Sequence, residues 1–299
     1  MRHGQSWQIL VTLLGIIGMA PSATAAPVVL SGSGANPASI QGTVDTFRGT
    51  LGNPDNGNNP GPLATGRREI NWDGGGATNG TLAVTPFTVF QNTRGSTFTT
   101  PGIGLTQAPI TGGTVDIVPG GGVQGSLADI NPTYGSSFVT FSPVRLFAPL
   151  GSNITDVTFS IPGTGGAAPA TVSAFGAVFT DVDLANTTSI QYFNSNGGSL
   201  GTFFAPTANN GLSFLGVSFN AGELISHVQI TTGNTALGPN EGTGIDVAAL
   251  DDVIYKEPQV VIPEPTSAVL LVTGVAGLWI RSQLKRRKGS QRSSAQCGR

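Results

Sequence analysis

Short runs of β-branched and aromatic residues, broken repeatedly by Gly, Pro, Asn and Ser, fill the second half of the chain and leave few options for its fold. Val157-Thr158-Phe159-Ser160-Ile161 and Val228-Gln229-Ile230-Thr231 alternate apolar and polar side chains. A strand sends successive side chains to opposite faces, so this alternation buries one face and wets the other. Strands are predicted over 138–147, 154–161, 171–179, 189–193, 200–204, 212–219, 225–231 and 245–255, with Asn196-Gly197-Gly198 as a hairpin turn. No helical period holds beyond two turns, and 40–47 reads as a first strand. With 44 Gly and 20 Pro among 299 residues, a helical bundle is excluded, and no Gly-X-Y period points to collagen. The predicted fold is all-β: an antiparallel β-sandwich of jelly-roll-like plan, with long Gly/Pro-rich loops at 49–66 and 111–125. Neither loop breaks the composition sharply, which favours one domain over two.

The two ends carry addressing signals. Arg2 and His3 precede an apolar run from Ile9 to Met19, and Ala23-Thr24-Ala25 follows, as in a secretory signal peptide over 1–25 cut after Ala25. The alternative is an uncleaved anchor, for which the run is short. At the other end, Pro263-Glu264-Pro265 opens a second apolar stretch that reaches Ile280, followed by Arg281, Lys285, Arg286, Arg287 and Lys288. Residues 266–280 would span about 22 Å as a helix, against about 30 Å of hydrocarbon, with the flanking cations reaching outward to cover part of the gap. The positive-inside bias keeps the basic end cytoplasmic and the body outside.

This order of Pro-Glu-Pro, short apolar helix and basic cluster resembles the PEP-CTERM sorting signal. The resemblance covers 261–288 and leaves a cytoplasmic tail, 289–299, longer than the pattern's usual abrupt end. It implies recognition by exosortase, a transpeptidase-like membrane enzyme of Gram-negative bacteria that cuts near Pro263, Glu264 and Pro265. It further implies export through the inner membrane, anchoring there until processing, and then a place at the cell surface or outside the cell. Signal peptidase would act at the other end. An ordinary single-pass anchor is the plainer alternative.

The exported body, 26–260 with a short junction to the motif, carries six basic and fifteen acidic residues, a net −9 hidden by the whole-chain value of −2. An acidic body is a poor partner for nucleic acid. It contains no Cys, since Cys297 lies in the tail, so its stability rests on a hydrophobic core. The body also resembles a set of exported bacterial proteins through Gly66-Arg67-Arg68-Glu69-Ile70-Asn71-Trp72-Asp73-Gly74, Asp129-Ile130-Asn131-Pro132, the stretch from Phe175 to Asp183, the stretch from Leu212 to Val217, and Leu250-Asp251-Asp252-Val253. That likeness implies a single unit and brings no activity with it.

Two groups of residues are candidates for chemistry. Arg67, Arg68, Glu69, Asn71, Trp72 and Asp73 form the densest polar cluster in a chain with only 10% charged residues. An indole that stacks on a pyranose, beside amide and carboxylate groups for its hydroxyls, would suit sugar recognition. The alternative is an ion pair that pins a loop, with Trp72 in the core. Asp181 and Asp183, two apart on a strand end, share a face, and Asp251 and Asp252 are predicted to add oxygens for a Ca²⁺ ion, which takes six to eight. Solvated strand-end carboxylates are the alternative, and no EF-hand spacing is present. His227, the body's one histidine, sits in an alternating strand, and neither a nucleophile elbow nor a phosphate loop occurs. The expected function is therefore non-enzymatic: a surface or polysaccharide-matrix protein, or a carbohydrate-binding module working through 67–73. No cofactor is expected beyond a Ca²⁺ ion at the four aspartate carboxylates.

Overall fold

A computed structural model describes residues 26–122, 124–240, 242–261 and 279–281. The signal peptide, the Pro-Glu-Pro motif and the basic residues 285–288 lie outside them; Trp279, Ile280 and Arg281 are helical and exposed. Among the described residues no helix is long and apolar enough to cross a membrane.

The body is β-rich and its sheets are antiparallel. One sheet holds seven strands: β1 (Val28–Gly34), β2 (Arg67–Ile70), β4 (Gly104–Pro109), β5 (Arg145–Leu150), β8 (Ala174–Val182), β11 (Ala208–Ser218) and β13 (Ala249–Lys256). They run in the order β1-β11-β8-β13-β5-β4, and β2 adds to β13. The other has five: β3 (Ser96–Thr99), β6 (Ile154–Phe159), β9 (Ser189–Phe193), β10 (Ser199–Phe204) and β12 (His227–Thr231), ordered β10-β9-β12-β6-β3. A two-stranded ribbon pairs β7 (Ala170–Thr171) with β14 (Gln259–Val260). Phe175, Leu215 and Tyr255 from the larger sheet and Val157, Tyr192 and Val228 from the smaller share one apolar core.

The larger sheet is covered on its other face too, and β8 is buried at every position. Much of that cover is a helix, α1 (Pro37–Leu51), where the sequence reads as a strand over 40–47. Ile40, Val44, Phe47 and Leu51 recur at helical spacing and are its buried side chains. Asn36 caps the start by accepting from Ser39 N at 3.2 Å, Pro37 enters the first turn, and Gly52 at φ 86° ends the helix. The β-branched residues Thr43, Val44 and Thr46 masked that period. At the far end of the sheet, α2 (Leu127–Ile130) and α3 (Tyr134–Ser137) cover Leu146 and Ala148, and Ile117 from the Gly-rich stretch at 111–125 joins this cluster.

The strand expected over 138–147 starts only at Arg145. Pro143 has no N–H to give a ladder. The N–H groups of Phe141, Val144 and Arg145 go instead to side-chain carboxylates, Asp251 for the first and Asp73 for the other two.

Phe47 lies on a floor made by Gly176 and Gly216, which face each other across β8 and β11. A Cβ on Gly216 would come 2.7 Å from the Phe47 ring. Gly216→Ala should therefore lower the urea-unfolding free energy by about 1–3 kcal/mol through overpacking. Adding Phe47→Leu should recover part of that loss, a coupling that a double-mutant cycle reads directly.

Candidate functional site

Strand β2 sorts the polar cluster at 67–73 by alternation. Arg68 and Ile70 turn inward, and Arg67 and Glu69 turn toward α1. Arg68 is fully buried and forms a two-pronged pair with Glu257, at 2.6 and 2.7 Å, so it is not available to a ligand. Arg67 donates to Glu69 at 2.5 Å and to Asn53 Oδ1 at 2.7 Å.

Trp72 corrects the sugar-stacking expectation. Its ring is wholly enclosed, stacked on Phe147 with centroids 4.0 Å apart and planes 2° from parallel, and edge-on to Phe90 and Phe98. No face remains for a pyranose. The residue holds a left-handed backbone at φ 65°, which costs a bulky side chain of the order of 1–3 kcal/mol. The ring packing sustains it, together with two hydrogen bonds: the indole N–H donates to the carbonyl of Asp251, and Arg145 donates to the carbonyl of Trp72.

Asp251 and Asp252 occupy a β-bulge. Leu250 of β13 faces Phe179 of β8 and Val253 faces Ala177, so two residues oppose one. Regular alternation would send adjacent side chains to opposite faces. The bulge brings both carboxylates to the Ser142 hydroxyl, at 2.6 Å from Asp252 and 3.2 Å from Asp251, with Asp73 at 3.4 Å. Burial, then the charge of Asp252, pushes the Asp251 carboxyl well above the usual range, and burial raises Asp252 as well. The pair thus keeps a proton that isolated carboxylates would shed.

Asp181 and Asp183 belong to a different cluster. Asp181 accepts from Asn210 N at 2.7 Å, and Asp246 accepts from Asp183 N at 3.1 Å. The bulge commits Asp251 and Asp252 to Ser142 instead, so the four aspartates do not form one oxygen shell. Among the described residues no group of three or more His, Cys, Asp or Glu is arranged to hold a metal ion. His227 stacks on Phe193 and bonds Asp156 at 2.8 Å.

What the fold assembles is a polar cleft of about 430 Å³ over the bulge. Gln41 and Arg48 line it from α1, Glu69 and Asn71 from β2 and its end, and Ser142 and Asp252 from below. Arg48 holds Glu69 through Nη2 at 2.7 Å and lies 3.8 Å from Asp252. Asp55, Arg94, Phe141 and Pro143 complete the wall, and nothing in the local sequence marks them. Of the six residues at 67–73, only Glu69 and Asn71 reach the cleft. No family model, curated protein or solved structure matches the chain.

Two outcomes follow from these contacts. Trp72→Ala should destabilise the body by about 3–5 kcal/mol, read by urea unfolding, as loss of a large enclosed ring does. Burial, then the charges of Asp181 and Asp246, raises the Asp183 carboxyl to about 6. An acid raised on folding withdraws stability as pH climbs through its unfolded value toward 6. Asp183→Asn should therefore raise Tm at pH 7.5 by the equivalent of about 1–2 kcal/mol, discounted because the group is only partly buried, and leave Tm unchanged at pH 3. Thermal scans in chelator check this, and added Ca²⁺ that raises Tm only with Asp183 intact would show a cation there.

Proposed function

We propose that the protein is an exported component of the cell surface or of an extracellular polysaccharide matrix, with a structural or interaction role and no turnover. Its route is a PEP-CTERM-like signal processed by exosortase, after signal peptidase has removed 1–25. The observation that carries this reading is the position of the motif. Among the described residues the last strand, β14, ends at Val260, and Pro263-Glu264-Pro265 begins three residues later in the sequence. Two prolines in so short a stretch disfavour helix, and a non-helical segment close in sequence to the end of the body would suit an enzyme that must grip the chain there. The jelly-roll-like sandwich is the matching reading of the body, a rigid unit released whole.

A second reading, a carbohydrate-binding module, is favoured by the cleft at Glu69 and Asn71. In it the two residues act without Trp72.

Intact mass of the protein recovered from the native envelope and medium tests the main reading. A species beginning near Ala26 and ending near Pro263–Pro265 is expected. A mass that runs through Arg299 would make the C-terminus a simple anchor and remove the sorting argument.

A further inference from the structure

We infer that the cleft between α1, the end of β2 and the β13 bulge binds neutral pyranose units of a polysaccharide, with Phe141 rather than Trp72 as the apolar platform. The inference rests on the reading of the body as one that meets glycans outside the cell.

Four observations carry it. The cleft, about 430 Å³, has the size of a small-ligand pocket. Its walls interleave acceptors and donors: the carboxylates of Glu69 and Asp252 beside Asn71 and Arg48. A sugar hydroxyl both donates and accepts, so it needs that mixture at close quarters. Phe141, half-buried, and Pro143, exposed, give the same wall an apolar patch for the C–H face of a ring. Finally, Nε and Nη1 of Arg94 have no hydrogen-bond acceptor. Asp55 lies 3.9 Å from Nη1, too far to serve. These two nitrogens are buried, and buried donors left unfilled are costly; a reorientation of this side chain that turned them to the cleft would let a hydroxyl fill them.

Charge selects a neutral ligand. An acidic sugar would meet Asp55, Glu69, Asp252 and a body of net −9, and a cationic one would meet Arg48 and Arg94. Uncharged hydroxyls suit both sets of groups.

The test is binding of the full-length chain, purified in detergent, to an array of neutral hexose oligosaccharides and uronate oligosaccharides. Binding to neutral members, little changed by salt, is expected. Asn71→Ala and Arg94→Gln should each weaken it about tenfold, the effect of losing a hydrogen bond or two. Phe141→Leu should weaken it similarly. Phe141 also packs against the helix cluster, so Tm is followed in parallel; Asn71 is exposed, and its variant keeps the test independent of folding.

Binding to no neutral glycan overturns the inference. So does binding confined to uronates and lost in salt, or binding that all three variants leave intact. A chain correctly processed at both ends that ignores every neutral glycan removes the sugar site alone. A bound glycan on a chain still carrying Arg299 removes the sorting reading alone.

Discussion

The buried pair of Arg68 and Glu257 fixes the ground on which the polar region stands. Both side chains are fully enclosed, and two charges taken out of water cost several kcal/mol unless every donor and acceptor is met. Here the partners are supplied. Arg68 Nη1 donates to the carbonyls of Gly57 and Asn59, each at 2.7 Å, and Glu257 accepts from Asn56 Nδ2 at 2.8 Å and Leu63 N at 3.1 Å. Those four residues all lie in the Gly/Pro/Asn-rich loop between α1 and β2, which has little apolar matter of its own. The ion pair serves as its core. It also locks β2 against β13, in register from Arg67–Lys256 to Ile70–Val253, and that register decides that Glu69 faces the helix.

A second device shapes the floor of the cleft. The bulge at Asp251 and Asp252 places two neighbouring carboxylates on one side of a strand, and the Trp72 indole holds the bulge by its carbonyl. A left-handed tryptophan, paired buried acids and a guanidinium with unfilled donors all break ordinary rules of folding economy. These three meet around the cleft, and a second set of departures lies at the Asp181 and Asp183 cluster, with Asp181 at φ 63° and a raised Asp183 carboxyl. Strain and polar burial that the rest of the fold must sustain concentrate where a protein has a use for them.

How far this was legible depends on the reach of each interaction. Strands β6 and β12 could be read because each has one wet face, and Val157 and Val228 alternate with polar neighbours. The hairpin at Asn196-Gly197-Gly198 announces itself through turn chemistry alone. Helix α1 was hidden because its apolar spacing competes with β-branched residues and glycines in the same turns. The cluster at 67–73 stands out by charge density, yet the split between inward Arg68 and outward Glu69 depends on Glu257, 189 residues away. The bulge has no local mark either: Asp251-Asp252 looks like any acidic pair until its partner strand skips a residue. Arg94 and Phe141 reach the cleft only through tertiary packing.

All six basic residues of the body bear on this one region. Arg67 and Arg68 belong to β2, and Arg48 bonds Glu69. Arg145 contacts Trp72 and Asp73, Lys256 pairs with Arg67 across the strands and bonds the last turn of α1, and Arg94 lines the cleft. A body at net −9 could spend positive charge anywhere on its surface to moderate its own repulsion. Instead four of the six are paired with carboxylates, Arg48 with Asp45, Glu69 and Asp252, Arg67 with Glu69, Arg68 with Glu257 and Arg145 with Asp73, while Arg94 stands 3.9 Å from Asp55. Close pairs with restricted solvent are screened far less than exposed charges. The arrangement would therefore hold its geometry over a range of ionic strength. Interleaved donors and acceptors held in place are also what the proposed hydroxyl recognition would require, because an uncharged ligand is not drawn in from a distance and must be met by good geometry on contact.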